Sequence, residues 1–126
     1  MYRIAVDFDG TIVENRYPKI GSPLPFAFET LKALQSKGCI LILWTCREGA
    51  LLQEAVDYCK KNGVEFYAVN QNYPEEANVE LTSRKVDAQI YIDDKSLPPF
   101  AGWGETFQML FPNEDAFKTK KRFFLF

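Results

Sequence analysis

Apolar positions along this chain alternate between short continuous runs and stretches with helical spacing. Tyr2-Arg3-Ile4-Ala5-Val6 is a largely apolar run that predicts a buried strand, carried to Asp7 and broken by Gly10. Residues 12–25 hold Pro18, Gly21, Pro23 and Pro25 among several charges, and predict a long loop or small flap. From Phe26 to Lys37 the spacing of Phe28, Leu31, Ala33 and Leu34 predicts a helix, with Gly38 as its stop. Cys39 to Trp44 is apolar at every position, which predicts a strand over 40–44 buried on both faces.

The same alternation continues. Residues 50–62 predict a helix with Leu51, Leu52, Ala55, Val56 and Cys59 inward, ending at Gly63. Val64 to Val69 predicts a strand, and 70–76 a polar loop at its end. Residues 77–85 are less periodic and predict a short helix. Gln89 to Ile92 predicts a strand ended by Asp93-Asp94, with Pro98 and Pro99 excluding regular structure beyond it. A short helix is expected over 104–111 through Phe107, Leu110 and Phe111, and Asn113 is placed to cap another from Glu114. The tail from Lys118 to Phe126 reads as a basic turn and a last strand docked on the sheet, the alternative being a patch that touches membrane or RNA.

Strands alternating with helices predict one α/β domain over 1–126, a doubly wound and mostly parallel sheet. The 126 residues suffice for one core. A net charge of −2 argues against nucleic-acid binding driven by overall charge. No apolar run approaches the roughly 18 residues of a membrane span, and no signal peptide is visible, so a cytoplasmic location is expected. The absence of histidine excludes His-based triads and His-ligated metals. Cys39, Cys46 and Cys59 are odd in number and form no C-x-x-C, so they read as reduced thiols. Any acid–base chemistry therefore falls to carboxylates, Lys, Tyr or Cys, and a carboxylate-bound metal is a hard one such as Mg²⁺.

The candidate chemistry starts at Asp7-Phe8-Asp9-Gly10-Thr11, at the carboxyl end of the first strand, where ligands collect in open α/β sheets. Side chains at i and i+2 of a strand share a side, so Asp7 and Asp9 face one pocket while Phe8 enters the core. Paired carboxylates repel and need a cation or a shared proton. They also offer a nucleophile and a proton carrier.

This pentapeptide resembles the first motif of the haloacid dehalogenase superfamily. The resemblance implies that Asp7 attacks phosphorus and becomes an aspartyl phosphate, while Asp9 protonates the leaving group and then activates water. Thr45, at the tip of the apolar strand 40–44, resembles the second motif, a hydroxyl that bonds a phosphoryl oxygen. It is equally placed to cap the next helix, with Glu48 completing a capping box. Lys85, eight residues before Asp93, is similar to the third motif's charge-balancing lysine, with Arg84 and Lys95 as alternatives. Ile92-Asp93-Asp94 resembles the fourth motif, which implies an Mg²⁺ shell from Asp7, the Asp9 carbonyl, Asp93 and Asp94.

The resemblance spans most of residues 2–94 and implies a capless, Rossmann-like member. Strand 2–7 is expected between strands 40–44 and 89–93, with 64–69 outside 40–44. Asp at position 9 favours an Mg²⁺-dependent phosphomonoester hydrolase, the alternatives being a phosphotransferase or mutase, or a non-catalytic binding protein on the same fold. A small phosphorylated metabolite is the expected partner. Arg47 and Cys46, beside Thr45, are expected near the phosphate, Arg47 as a site for a second anionic group. Cys46 is not expected to be a catalytic thiol. The open side of a capless site is expected to be closed by a large substrate or by the neighbour in a homo-oligomer. The loops carrying Arg16, Tyr17 and Lys19 and Asn70, Gln71, Asn72 and Tyr73 supply material for that closure.

Overall fold

A computed structural model describes residues 1–76 and 86–114. Four strands, β1 (Arg3–Val6), β4 (Ile40–Leu43), β5 (Ala68–Val69) and β6 (Ile90–Ile92), form one sheet in the order β5-β4-β1-β6. Every pairing in it is parallel. The order is the one expected, with β1 in the middle. Parallel neighbours bring several strand ends to one edge, so the residues after β1, β4 and β6 meet there. The ladder runs on to the site, since Trp44 N–H donates to Val6 O (2.8 Å) and Asp7 N–H to Ile92 O (3.0 Å).

Alternation along each strand divides the core. Ile4, Val6, Leu41, Leu43 and Ile92 face one side. There they meet helix α1 (Ala27–Ser36) through Phe28, Leu31 and Leu34, helix α2 (Gly49–Lys61) through Ala55 and Cys59, and helix α3 (Trp103–Leu110) through Trp103 and Phe107. Ala5, Ile42 and Ala68 face the other side and pack with Val86. All helices among the described residues thus cover one face. The second winding expected from a helix over 77–85 lies outside the described residues, as do the helix from Glu114 onward and the tail strand.

Two expectations shift locally. Only Ala68–Val69 of the strand expected over 64–69 pairs regularly. The chain leaves α2 through Gly63 at φ +90°, and Val64 N–H closes the helix end onto Cys59 O (2.9 Å). The first residues of the apolar run are therefore used to end a helix. The Pro-rich segment after the motif is a hairpin, β2 (Val13–Arg16) against antiparallel β3 (Lys19–Pro23). Its prolines fit because Pro18 lies in the turn and Pro23 ends a strand of a two-stranded ribbon, where both strands are edges.

Candidate active site

The chain turns sharply after β1. Phe8 O accepts hydrogen bonds from Thr11, Ile12 and Val13 N–H (3.2, 2.9 and 3.3 Å), and Phe8 itself is wholly buried. Gly10 sits at φ +88°, and a Cβ there would overlap the Asp94 carboxylate. A glycine is therefore required both by the turn and by the approach of β6's end to β1's end.

Thr11 ties those two ends together. Its buried hydroxyl donates to Asp7 Oδ2 (3.0 Å) and accepts from Asp94 N–H (3.1 Å). Behind it, Trp103 Nε1–H donates to Thr11 O (2.9 Å), so α3 braces the turn. The result is a cluster in which Asp7, Asp93 and Asp94 each present a carboxylate oxygen, all within 4.8 Å of one another. Burial, and then the charges of Asp93 and Asp94, push the Asp7 carboxyl up to about 7 from the ordinary 3.8, although the Thr11 hydrogen bond works the other way. An all-oxygen donor set with this much gathered negative charge suits a hard divalent cation.

These acids line a cavity of about 550 Å³ together with Thr45, Cys46 and Lys95, and with Asn15 and Tyr17 from the hairpin. Thr45 is held by its backbone, whose N–H donates to Asn70 Oδ1 (2.8 Å). Its hydroxyl accepts from Arg47 N–H (3.2 Å), which leaves the hydroxyl hydrogen free to donate. The capping box, the alternative use of Thr45, does not form: α2 begins after Glu48, and no side chain caps it.

Asp9 is held by Arg47. Both its oxygens accept from Arg47, from Nε–H and Nη2–H, each at 2.8 Å. The crowding of carboxylates falls on Asp7, beside Asp93 and Asp94, while Asp9 stands apart from the triad against a guanidinium. Arg47 is not an anion site awaiting substrate. It is 1% exposed, and its remaining hydrogens are taken by Pro18 O, Lys19 O and Leu51 O (3.2, 3.0 and 3.3 Å).

The loop 70–76 also differs from expectation. Asn70 serves Thr45, but Asn72 turns to the opposite end of the sheet, where its carbonyl accepts from Arg3 Nη2–H (2.8 Å) and its side chain from Asp87 N–H (2.6 Å). Neither Gln71 nor Tyr73 lines the cavity. Lys85 and Arg84 lie outside the described residues, while Lys95 is exposed at the cavity rim. Cys39 and Cys59 are buried and Cys46 is exposed, all as free thiols. No helix among the described residues is long and apolar enough to cross a membrane.

The solved structure of a conserved protein from Bacteroides thetaiotaomicron superposes on this chain with a TM-score of 0.83 at 50% sequence identity. The alignment covers 90% of this chain and 93% of that one. This chain belongs to that protein's family. No protein-family model matches it, and neither does any curated protein. At half identity over nearly the full length, the family shares the parallel sheet described above, and the chemistry must be argued from the carboxylates themselves.

Proposed function

We propose that this protein is a capless member of the haloacid dehalogenase superfamily, an Mg²⁺-dependent phosphomonoester hydrolase acting through an aspartyl phosphate on Asp7. The observation that supports this most is the meeting of Asp7, Asp93 and Asp94 at the ends of adjacent parallel strands, with Thr45 at the tip of the next one. The motif resemblance links these residues across 87 positions of sequence, from 7 to 94.

Asp7, Asp93 and Asp94 are the residues that would hold the cation. A bound Mg²⁺ supplies the positive charge that keeps Asp7 ionised and offsets the phosphoryl oxygens. The Asp7 carboxylate attacks phosphorus in line as the ester oxygen departs, forming the phosphoaspartate. Thr45, with its hydroxyl hydrogen uncommitted, donates to a phosphoryl oxygen. The charge-balancing lysine implied by the resemblance is Lys85, and Lys95 is the described lysine at the cavity. Asp9 is the group that moves protons. It gives its proton to the departing ester oxygen in the first step, and in the second it takes one from the water that attacks phosphoaspartate, which restores it. The hairpin β2–β3 takes the place of a cap domain along one wall.

A panel of phosphorylated metabolites, assayed for phosphate release with Mg²⁺ and with EDTA, tests the reading. Turnover that requires Mg²⁺, is lost in Asp7→Asn, and is blocked by beryllium fluoride bound at Asp7 is the expected result. Turnover in a deamidation-free Asp7→Asn preparation would refute the nucleophile. No release from any member of the panel would refute the hydrolase.

A further inference from the structure

Arg47 is the largest fully buried side chain among the described residues, and every guanidinium hydrogen has an acceptor. Its fork grips Asp9 on one side. On the other it holds the carbonyls of Pro18 and Lys19, at the turn of the hairpin. The rings of Phe8 and Tyr17 flank it at 5.1 and 5.2 Å from the guanidinium carbon. A buried ion pair is a poor way to gain stability, because a well-packed apolar plug of similar volume is often as good or better. What the arginine does and a plug cannot is join two distant parts rigidly: the second carboxylate of the motif, and the wall formed by the hairpin. Asn15 and Tyr17 of that hairpin face the same cavity as Asp9.

Resting on the phosphoryl-transfer reading above, we propose that Arg47 is a positioning residue that couples Asp9 to the hairpin turn. A leaving group seated against Asn15 and Tyr17 then governs where Asp9 stands. The carbonyls of Pro18 and Lys19 move with the turn, the guanidinium follows its acceptors, and Asp9 follows the guanidinium. Discrimination among leaving groups appears in kcat rather than in KM alone, since the coupling acts on the proton carrier and not on the phosphoryl pocket.

The test uses Arg47→Met, Arg47→Lys and Tyr17→Ala, the last on a side chain 55% exposed and outside the core. Affinity for beryllium fluoride with Mg²⁺ reports on Asp7 and the triad, and kcat and KM are measured on acetyl phosphate and phenyl phosphate. Expected for Arg47→Met is unchanged beryllium fluoride affinity with kcat lower by about 10²–10⁴-fold, the range for loss of a positioned proton carrier. Partial rescue is expected in Arg47→Lys, which keeps the charge but not the fork. Tyr17→Ala should shrink the kcat difference between the two substrates. Wild-type kcat in Arg47→Met would overturn the coupling. So would a parallel fall in beryllium fluoride affinity and kcat, which marks a merely structural role. Should the Arg47 variants not fold, an unchanged kcat ratio in Tyr17→Ala overturns it. A wild-type protein that neither binds beryllium fluoride at Asp7 nor turns over phosphate esters removes the hydrolase reading itself, and the coupling with it.

Discussion

Gly10 leaves the space that the Asp94 carboxylate fills, so one missing side chain lets the ends of β1 and β6 share a site. Gly10→Ala should fail twice. The residue sits at φ +88°, where a side chain costs about 1–2 kcal/mol, and its methyl displaces Asp94 from the triad. The expected outcome is a folded, moderately destabilised protein whose affinity for Mg²⁺ or Mn²⁺ falls by about 10–100-fold, as for other changes next to metal ligands. Calorimetric titration with Mn²⁺ checks it. An affinity equal to wild type would show that Asp94 does not contribute to cation binding.

Thr11 offers a sharper probe, because its hydroxyl alone joins Asp7 to the backbone of Asp94. Thr11→Val keeps the shape and removes the bonds. Leaving the Asp94 N–H without its acceptor should cost about 1–3 kcal/mol in chemical denaturation. Thr11→Ser, which keeps the oxygen, should lose less stability and retain turnover. If Val and Ser behave alike, the hydroxyl is not the link.

The parts of this molecule legible in sequence are those set by local pattern. The run Ile40 to Leu43 is apolar at every position and is a strand buried on both faces, as such runs dictate. Gly38 and Gly63 follow α1 and α2 where expected. Asp7 and the pair Asp93-Asp94 each end a strand, so their meeting follows once the two strands are neighbours. Arg47 was not legible. Its sequence neighbours suggest a polar loop, and what buries it comes from 28, 29 and 38 residues away, at Lys19, Pro18 and Asp9. Asn72 differs for a similar reason: a polar loop after a strand predicts residues facing the site, but Arg3 and Asp87 draw Asn72 to the far end. The hairpin is masked by its Pro and Gly content, which predicts a loop or flap, although a two-stranded ribbon has free edges that tolerate proline.

Cys46 lies at the cavity beside Thr45, yet its side chain is exposed and makes none of the hydrogen bonds that organise the site. Asp7 already supplies a nucleophile in the proposed chemistry. Cys46→Ala and Cys46→Ser should therefore keep most of the wild-type kcat/KM in the phosphate-release assay. A loss of several orders of magnitude with the fold retained would make the thiol part of the chemistry.

Asp7 links the site to stability. Its carboxyl stands at about 7 in the fold, against an ordinary value of 3.8, chiefly because burial disfavours the charged form. The native state thus holds this proton more tightly than the unfolded chain. The stabilisation is complete below about 3.8 and is lost as pH rises through about 7. Above that the native protein carries a costly buried charge. Asp7→Asn has no such charge, so in EDTA the variant should gain stability over wild type progressively from pH 4 to 7, and hold that advantage beyond. A cation bound by the carboxylates favours the ionised form, so adding Mg²⁺ at pH 8 should raise the wild-type Tm and leave Asp7→Asn nearly unchanged. Thermal melts of both proteins, at each pH and with or without Mg²⁺, decide the matter. A constant Tm difference between them across that pH range would show that Asp7 titrates normally. A Tm rise with Mg²⁺ equal in both would place the cation elsewhere.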